Sequence, residues 1–200
     1  MTSTLSMPRS GLGRSAWLAA GLASAVLVRA GVTRIPGGQD GDAAAFGSGL
    51  AFGMALLALA ILGGWSMRWP TVRAVGLGLG GGLALVLLPV IARPQAALVI
   101  GIRPEPFALW VAVTAIVAVG EEAILRGVLF DAVRSVAGPP VAVVGTSLAF
   151  ALLHVPLYGW HVVPLDLAVG VWLAGLRLVS GGVAAPAVAH ALADLATWWL

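Results

Sequence analysis

The sequence predicts an all-α protein, a polytopic bundle of about seven or eight transmembrane helices, and three observations predict it. Of its 200 residues 60% are hydrophobic and only 10% charged, too little polar surface for a soluble domain. The mean hydropathy is +1.02. Apolar runs approaching the roughly 20 residues that cross a bilayer core recur from one end to the other. Lipid is the solvent such a chain requires, so the bilayer is its first expected partner and a multi-pass position, in the cell membrane, its expected location.

Each element follows from the breaks between apolar runs. A polar tail from Met1 to Arg14 precedes an apolar stretch from about Ser15 to Val28 that ends at Arg29. That stretch has the length of a signal-peptide core, but no small-x-small cleavage pattern follows it, and it is read as a retained first span. Arg34 to Asp42, with Pro36, Gly37 and Gly38, is a loop. About Ala43 to Met67 is long enough to cross with tilt. Arg68 to Arg73, with Pro70, is the next turn, and a third span covers about Ala74 to Ala92. Arg93 to Pro106 carries three prolines and marks the main internal boundary, dividing N-terminal helices (1–106) from a second membrane region (107–200). Phe107 to about Ala137 reads as one long helix or two broken ones, closed by Gly138, Pro139 and Pro140. Val141 to His154 follows. Val155 to Pro164, with Tyr158 and Trp160, reads as an interfacial loop, since such rings favour the headgroup level. Asp166 to Val179 and Val183 to Leu200 complete the spans.

Composition also excludes functions. The formal charge is +3, yet all eleven basic residues are Arg, scattered singly, whereas nucleic-acid binding wants a basic stripe. The absence of Cys removes disulfides and thiolate catalysis. The chain has no H-E-x-x-H, and Gly47-Ser48-Gly49 lacks the nucleophile-elbow pattern. Gly76, Gly78 and Gly81 match G-x-G-x-x-G inside a span, where close helix packing is the expectation. Gly49 and Gly53 are read the same way.

What remains is a set of ionisable groups on apolar helices, each costing roughly 2.5 to 3.5 kcal/mol at the bilayer centre on insertion scales. Glu121 and Glu122 are adjacent, and Arg126 lies four residues beyond Glu122 in the favourable acid-before-base order. That pair neutralises itself. Glu121, about 100° around the helix, is left with weaker compensation, which suits a group that must take up a proton. Phe150 and His154 share a face, as do His190 and Asp194. Asp131, Arg134 and Asp166 fall near helix ends or loops, His161 is expected at the interface, and Arg177 is expected to snorkel to the headgroups.

Three motifs therefore stand in order: Glu121-Glu122-x-x-x-Arg126, Phe150-x-x-x-His154 and His190-x-x-x-Asp194. The pattern, over roughly Phe107 to Leu200, resembles the CPBP family of intramembrane glutamic endopeptidases, which includes the CAAX prenyl proteases and the Abi-type proteins linked to bacteriocin immunity. The resemblance implies a catalytic set of Glu121, Glu122, His154, His190 and Asp194, supported by Arg126 and Phe150. Glu121 would be the base, His154 its partner in activating water and His190 an oxyanion donor, while Glu122 and Arg126 hold the geometry. The CAAX proteases carry Asn where this chain has Asp194, and an ionised carboxylate cannot donate to an oxyanion. Either Asp194 is protonated or it orients His190; the one-turn spacing favours the second. The implied substrate is a peptide or protein in or at the membrane, with no cofactor. The alternatives are zinc held by Glu121, His154 and His190, a proton-coupled transporter or relay, and a non-catalytic immunity-type membrane protein.

Overall fold

The computed structural model describes residues 11–33, 42–92 and 106–199. Among them there is helix and no strand. The elements are α1 (Gly11–Thr33), α2 (Asp42–Leu62), α3 (Val72–Ala92), α4 (Phe107–Glu122), a π-helical segment (Ala123–Leu129), α5 (Phe130–Tyr158), α6 (Val163–Ser180) and α7 (Ala184–Ala196). Two helical stretches, Phe107–Tyr158 and Trp160–Ser180, are long and apolar enough to cross a membrane; the other apolar helices are shorter in their described parts. The loops expected at 34–42 and 93–106 lie almost wholly outside the described residues, as do the polar residues 1–10.

The first long stretch has 52 residues, which at about 1.5 Å each would reach about 78 Å if unbroken. It is broken where the sequence places the break. Gly138 has φ +81° and ψ 171°, a conformation that costs glycine little and other residues much. Pro139 and Pro140 then begin the next helical run, where a missing N–H is harmless. The expected loop from Val155 to Pro164 is a correction. Helix continues through Tyr158, reverses at Gly159 (φ +94°) and resumes from Val163 after a single 3-10 turn at Trp160–Val162. Pro156 does not end the helix, and Pro164 sits in the first turn of α6.

The bundle buries polar side chains and exposes apolar ones. Glu121, Glu122, Arg126, Thr146, Ser147, Arg177 and His190 are buried, whereas Leu27, Met54, Ile61, Val144, Leu165 and Val179 stand well exposed on the outer faces. Such a surface requires an apolar solvent around it. The inner core is continuous, running from Leu18, Leu22 and Val26 of α1 through Phe52 and Leu56 of α2 to Ile124, Leu125, Phe150 and Leu173.

Glycines bring the helices together where the site will form. A Cβ at Gly120 would lie 2.8 Å from the Gly53 carbonyl oxygen, and one at Gly53 would lie 3.1 Å from the Val117 nitrogen, so α2 and α4 approach backbone to backbone. Gly78 and Gly82 do the same for α3 against α7, where Cβ atoms would meet the carbonyls of Ala185 and Ala189 at 2.8 and 2.9 Å. Gly81 packs on Leu176 and Gly49 on Val113. Gly76 departs from the expectation, because a Cβ there would meet nothing within 4 Å. Without a hydrophobic force between helices in lipid, close packing of small residues supplies much of the attraction.

These contacts separate two outwardly similar substitutions. Gly120→Ala should lower the thermal midpoint in detergent and the yield of folded protein, by an overpacking cost of about 1–3 kcal/mol. Gly80→Ala, with nothing near its Cβ, should leave both unchanged or slightly raised. Equal effects of the two would show that backbone approach at Gly120 does not set the packing.

Candidate active site

The site begins with the change of helical pitch after Glu122. The π-helical segment Ala123–Leu129 follows the double glutamate directly and carries Arg126. Single-turn π segments of this kind often occur at functional sites. Arg126 is fully buried, and its Nη1 donates to Glu122 Oε1 at 2.9 Å. Its Nη2 donates to the carbonyl oxygen of Gly170 in α6 at 3.1 Å, and its guanidinium carbon lies 4.7 Å from the Phe150 ring centroid. The charge is thus neutralised by a carboxylate, solvated by a carbonyl and covered by an aromatic face.

His190 arrives from α7 between the two glutamates. Its Nδ1 lies 3.0 Å from Glu122 Oε1 and its Nε2 3.8 Å from Glu121 Oε2. Asp194, one turn along α7, approaches the same Nε2 at 3.4 Å. Since the Glu122 oxygen also accepts from Arg126, Nδ1 carries the hydrogen of the short contact. The Phe150 ring lies edge-on to both imidazoles, 4.8 Å from His154 and 5.3 Å from His190. The adjacent glutamates therefore differ in what they touch. Glu122 is fully buried with its Oε1 between Arg126 and His190, whereas Glu121 lines a cavity; the Oε2 of each has no hydrogen-bond partner among the described residues.

That cavity has a volume of about 460 Å³. Its polar side chains include Glu121, His154, Tyr158, Asp166 and Asp194, with Arg29 from α1 its one arginine among the described residues. Phe46, Trp110, Val113, Val117 and Leu157 supply apolar wall. His154 Nδ1 lies 3.0 Å from the Phe150 carbonyl oxygen, which can only accept. Nδ1 therefore carries a hydrogen, and Nε2 is the nitrogen left for chemistry.

All seven residues of the three motifs are thus drawn into one connected cluster: Glu121, Glu122, Arg126, Phe150, His154, His190 and Asp194. Three residues belong near it that sequence reasoning placed elsewhere. Asp166, set aside as lying near a loop, lines the cavity with its Oδ2 3.6 Å from His154 Nδ1. The helical restart at Val163 is what brings it there. Arg177 does not snorkel: it is 8% exposed, its Nε donates to the Arg126 carbonyl oxygen at 2.8 Å and its Nη2 to Asp131 Oδ1 at 2.9 Å. Tyr158, expected in a loop, stacks on His154 from the last turn of α5. His161 is exposed. Among the described residues no group of three or more His, Asp or Glu side chains is arranged to hold a metal ion.

Compared with known proteins, residues 103–196 match the family model described as Type II CAAX prenyl endopeptidase Rce1-like. No curated protein and no solved structure gives a match.

The cavity predicts a pattern of chemical access that needs no substrate. Because the chain contains no cysteine, a single introduced thiol can be read without background. Thr114→Cys, on the cavity wall, should react with a water-soluble thiol reagent in membranes. Ser147→Cys, fully buried, should stay unlabelled until the protein is denatured. Equal labelling of the two would mean that the cavity does not admit water.

Proposed function

We propose that this chain, whose residues 103–196 match the Type II CAAX prenyl endopeptidase Rce1-like family model, is an intramembrane glutamic endopeptidase hydrolysing a peptide bond with water activated by Glu121 and His154. Residues 107–200 form its catalytic core, and α1 and α2 before them help enclose the cavity, in a multi-pass protein of the cell membrane. The substrate is a membrane-associated or C-terminal peptide. One observation supports this reading above the others. Of two adjacent buried glutamates, Glu122 is paired with an arginine and an imidazole away from the cavity, while Glu121, with an unpartnered oxygen, is the one that lines the cavity.

The chemistry follows from those positions. A water attacking a peptide carbonyl must lose a proton as the bond forms, and a carboxylate with a free oxygen accepts it. His154, its Nδ1–H engaged by the Phe150 carbonyl, shares the water through Nε2. The carbonyl oxygen gains charge as the tetrahedral intermediate forms and needs a donor. His190, flanked by the carboxylates of Glu122 and Asp194 on its two nitrogens, suits a doubly protonated ring whose Nε2–H is given to that oxygen. In this arrangement Asp194 orients and balances His190, which is how an aspartate serves at a position where an amide donor is the commoner choice. Glu121 then returns its proton to the leaving amine as the C–N bond breaks. No metal or other cofactor enters any step; unchanged turnover after chelation, with no bound zinc in the purified protein, checks this.

Terminal-peptide profiling of membranes with and without the protein identifies the substrate, and its cleavage by the purified protein then tests the mechanism. Glu121→Gln keeps the size and hydrogen bonding of the side chain but removes the proton acceptor. Turnover should fall by roughly 10² to 10⁴-fold, with the thermal midpoint and substrate binding retained. Cleavage at near wild-type rate by the Gln variant would reject Glu121 as the base.

A further inference from the structure

The motifs and their proposed roles leave a buried arginine unused. Arg177 lies near the C-terminal end of α6, seven residues beyond Gly170 and therefore on the same face after two turns. From that face two contacts run to the π-helical segment in opposite senses. Arg126 Nη2 donates to the Gly170 carbonyl, and Arg177 Nε donates to the Arg126 carbonyl. Each arginine thus bonds the backbone of the other's helix.

The second of these bonds meets a need created by the π-helix. In an α-helix the Phe130 N–H would donate to the carbonyl four residues back, that of Arg126. Here the Phe130 N–H goes to Gly127 and Leu125 instead. The Arg126 carbonyl is passed over and receives the Arg177 Nε–H at 2.8 Å. Arg177 is held in place for this by Asp131, whose Oδ1 accepts from Nη2 at 2.9 Å, and by the Phe130 ring 5.6 Å below its guanidinium carbon. Only a planar fork donates from Nε to the carbonyl and from Nη2 to the carboxylate at once; a lysine ammonium is a point donor.

We propose that Arg177 is a positioning residue, which fixes the π-helical register of Ala123–Leu129 by supplying the donor that the Arg126 carbonyl lacks, and through it the placement of Glu121 and Glu122. Its catalytic consequence rests on the peptidase reading above. The register matters because relaxing the segment to an α-helix removes its extra residue per turn, which would turn the chain beyond it by about 100° relative to α4. The glutamates precede the segment and Arg126 lies within it, so their pairing and the position of Glu121 at the cavity depend on that angle.

Arg177→Lys keeps the charge and most of the volume but not the fork. In detergent or nanodiscs its thermal midpoint should stay close to wild type, while hydrogen exchange of the amides in 123–130 speeds up by about tenfold or more with the rest of the bundle unchanged. Against the substrate, kcat should fall about tenfold or more at an unaltered KM. Asp131→Asn, which retains the carbonyl bond, should move exchange and kcat the same way but less. Exchange and kcat both at wild-type values in Arg177→Lys would overturn the proposal. So would faster exchange spread over the whole bundle in step with a lower midpoint, or local loosening with wild-type kcat, or an Asp131→Asn effect as large as that of Arg177→Lys. A chain that cleaves no peptide would reject the peptidase reading, while the exchange experiment would still decide whether Arg177 sets the register.

Discussion

The site depends on a buried ion pair. Glu122 and Arg126 both lie at 0% side-chain exposure, in a bundle whose surroundings offer no water to solvate a charge. Either one alone would be prohibitively placed. Together, 2.9 Å apart, they cancel most of the field and leave hydrogen-bonding capacity over. Part of that remainder is taken up by other helices: Glu122 Oε1 by His190 of α7, Arg126 Nη2 by the Gly170 carbonyl of α6, and the guanidinium face by Phe150 of α5. One pair therefore determines where three further helices sit around the end of α4. Its ligands are also what hold His190 beside Glu121, so neutralising the charge and assembling the site are the same event.

Packing of small residues makes that convergence possible. Side chains as short as those of Glu and His reach one another only if the helices bearing them approach closely, and glycine contacts at the α2–α4 and α3–α7 crossings provide this. Gly170 serves twice: a Cβ there would meet Ser147 Cα at 2.9 Å, and its carbonyl accepts from Arg126. The opposite end of α4 is tied to the turn that follows α7 by rings, with Phe107 and Trp110 against Trp198. The helix carrying Glu121 is thereby held at both ends against the helix carrying His190 and the turn that follows it.

Much of this was legible in the sequence, for a physical reason. Charges are so costly in apolar helices that the few present had to be partners, and i,i+4 spacing alone paired Glu122 with Arg126 and placed Phe150 on the face of His154 and His190 on that of Asp194. The break at Gly138-Pro139-Pro140 was equally plain. What was not legible depends on geometry without a compositional signature. The run Ala123–Leu129 reads like any apolar helix, so its π pitch, and with it the need of the Arg126 carbonyl for an outside donor, is invisible. Arg177 was taken for a snorkelling residue because a lone Arg near a helix end has that default; its acceptor is a backbone atom 51 positions away. Asp166 was set aside because Val155 to Pro164, with Tyr158 and Trp160, reads as an interfacial loop just before it, whereas the chain makes one tight reversal and is helical on both sides.

The central claim, that the Glu122–Arg126 pair organises the site, is tested most directly by a double-mutant cycle on stability. Glu122→Gln, Arg126→Met and the double variant would be compared with wild type by equilibrium unfolding in a fixed detergent. Each single change leaves one buried charge without its partner and should cost about 3–5 kcal/mol. The double change removes both charges and should recover a large part of that loss, giving a strongly non-additive cycle. Additive losses, with the double variant as unstable as the sum of the singles, would contradict the claim and show that the two side chains contribute independently.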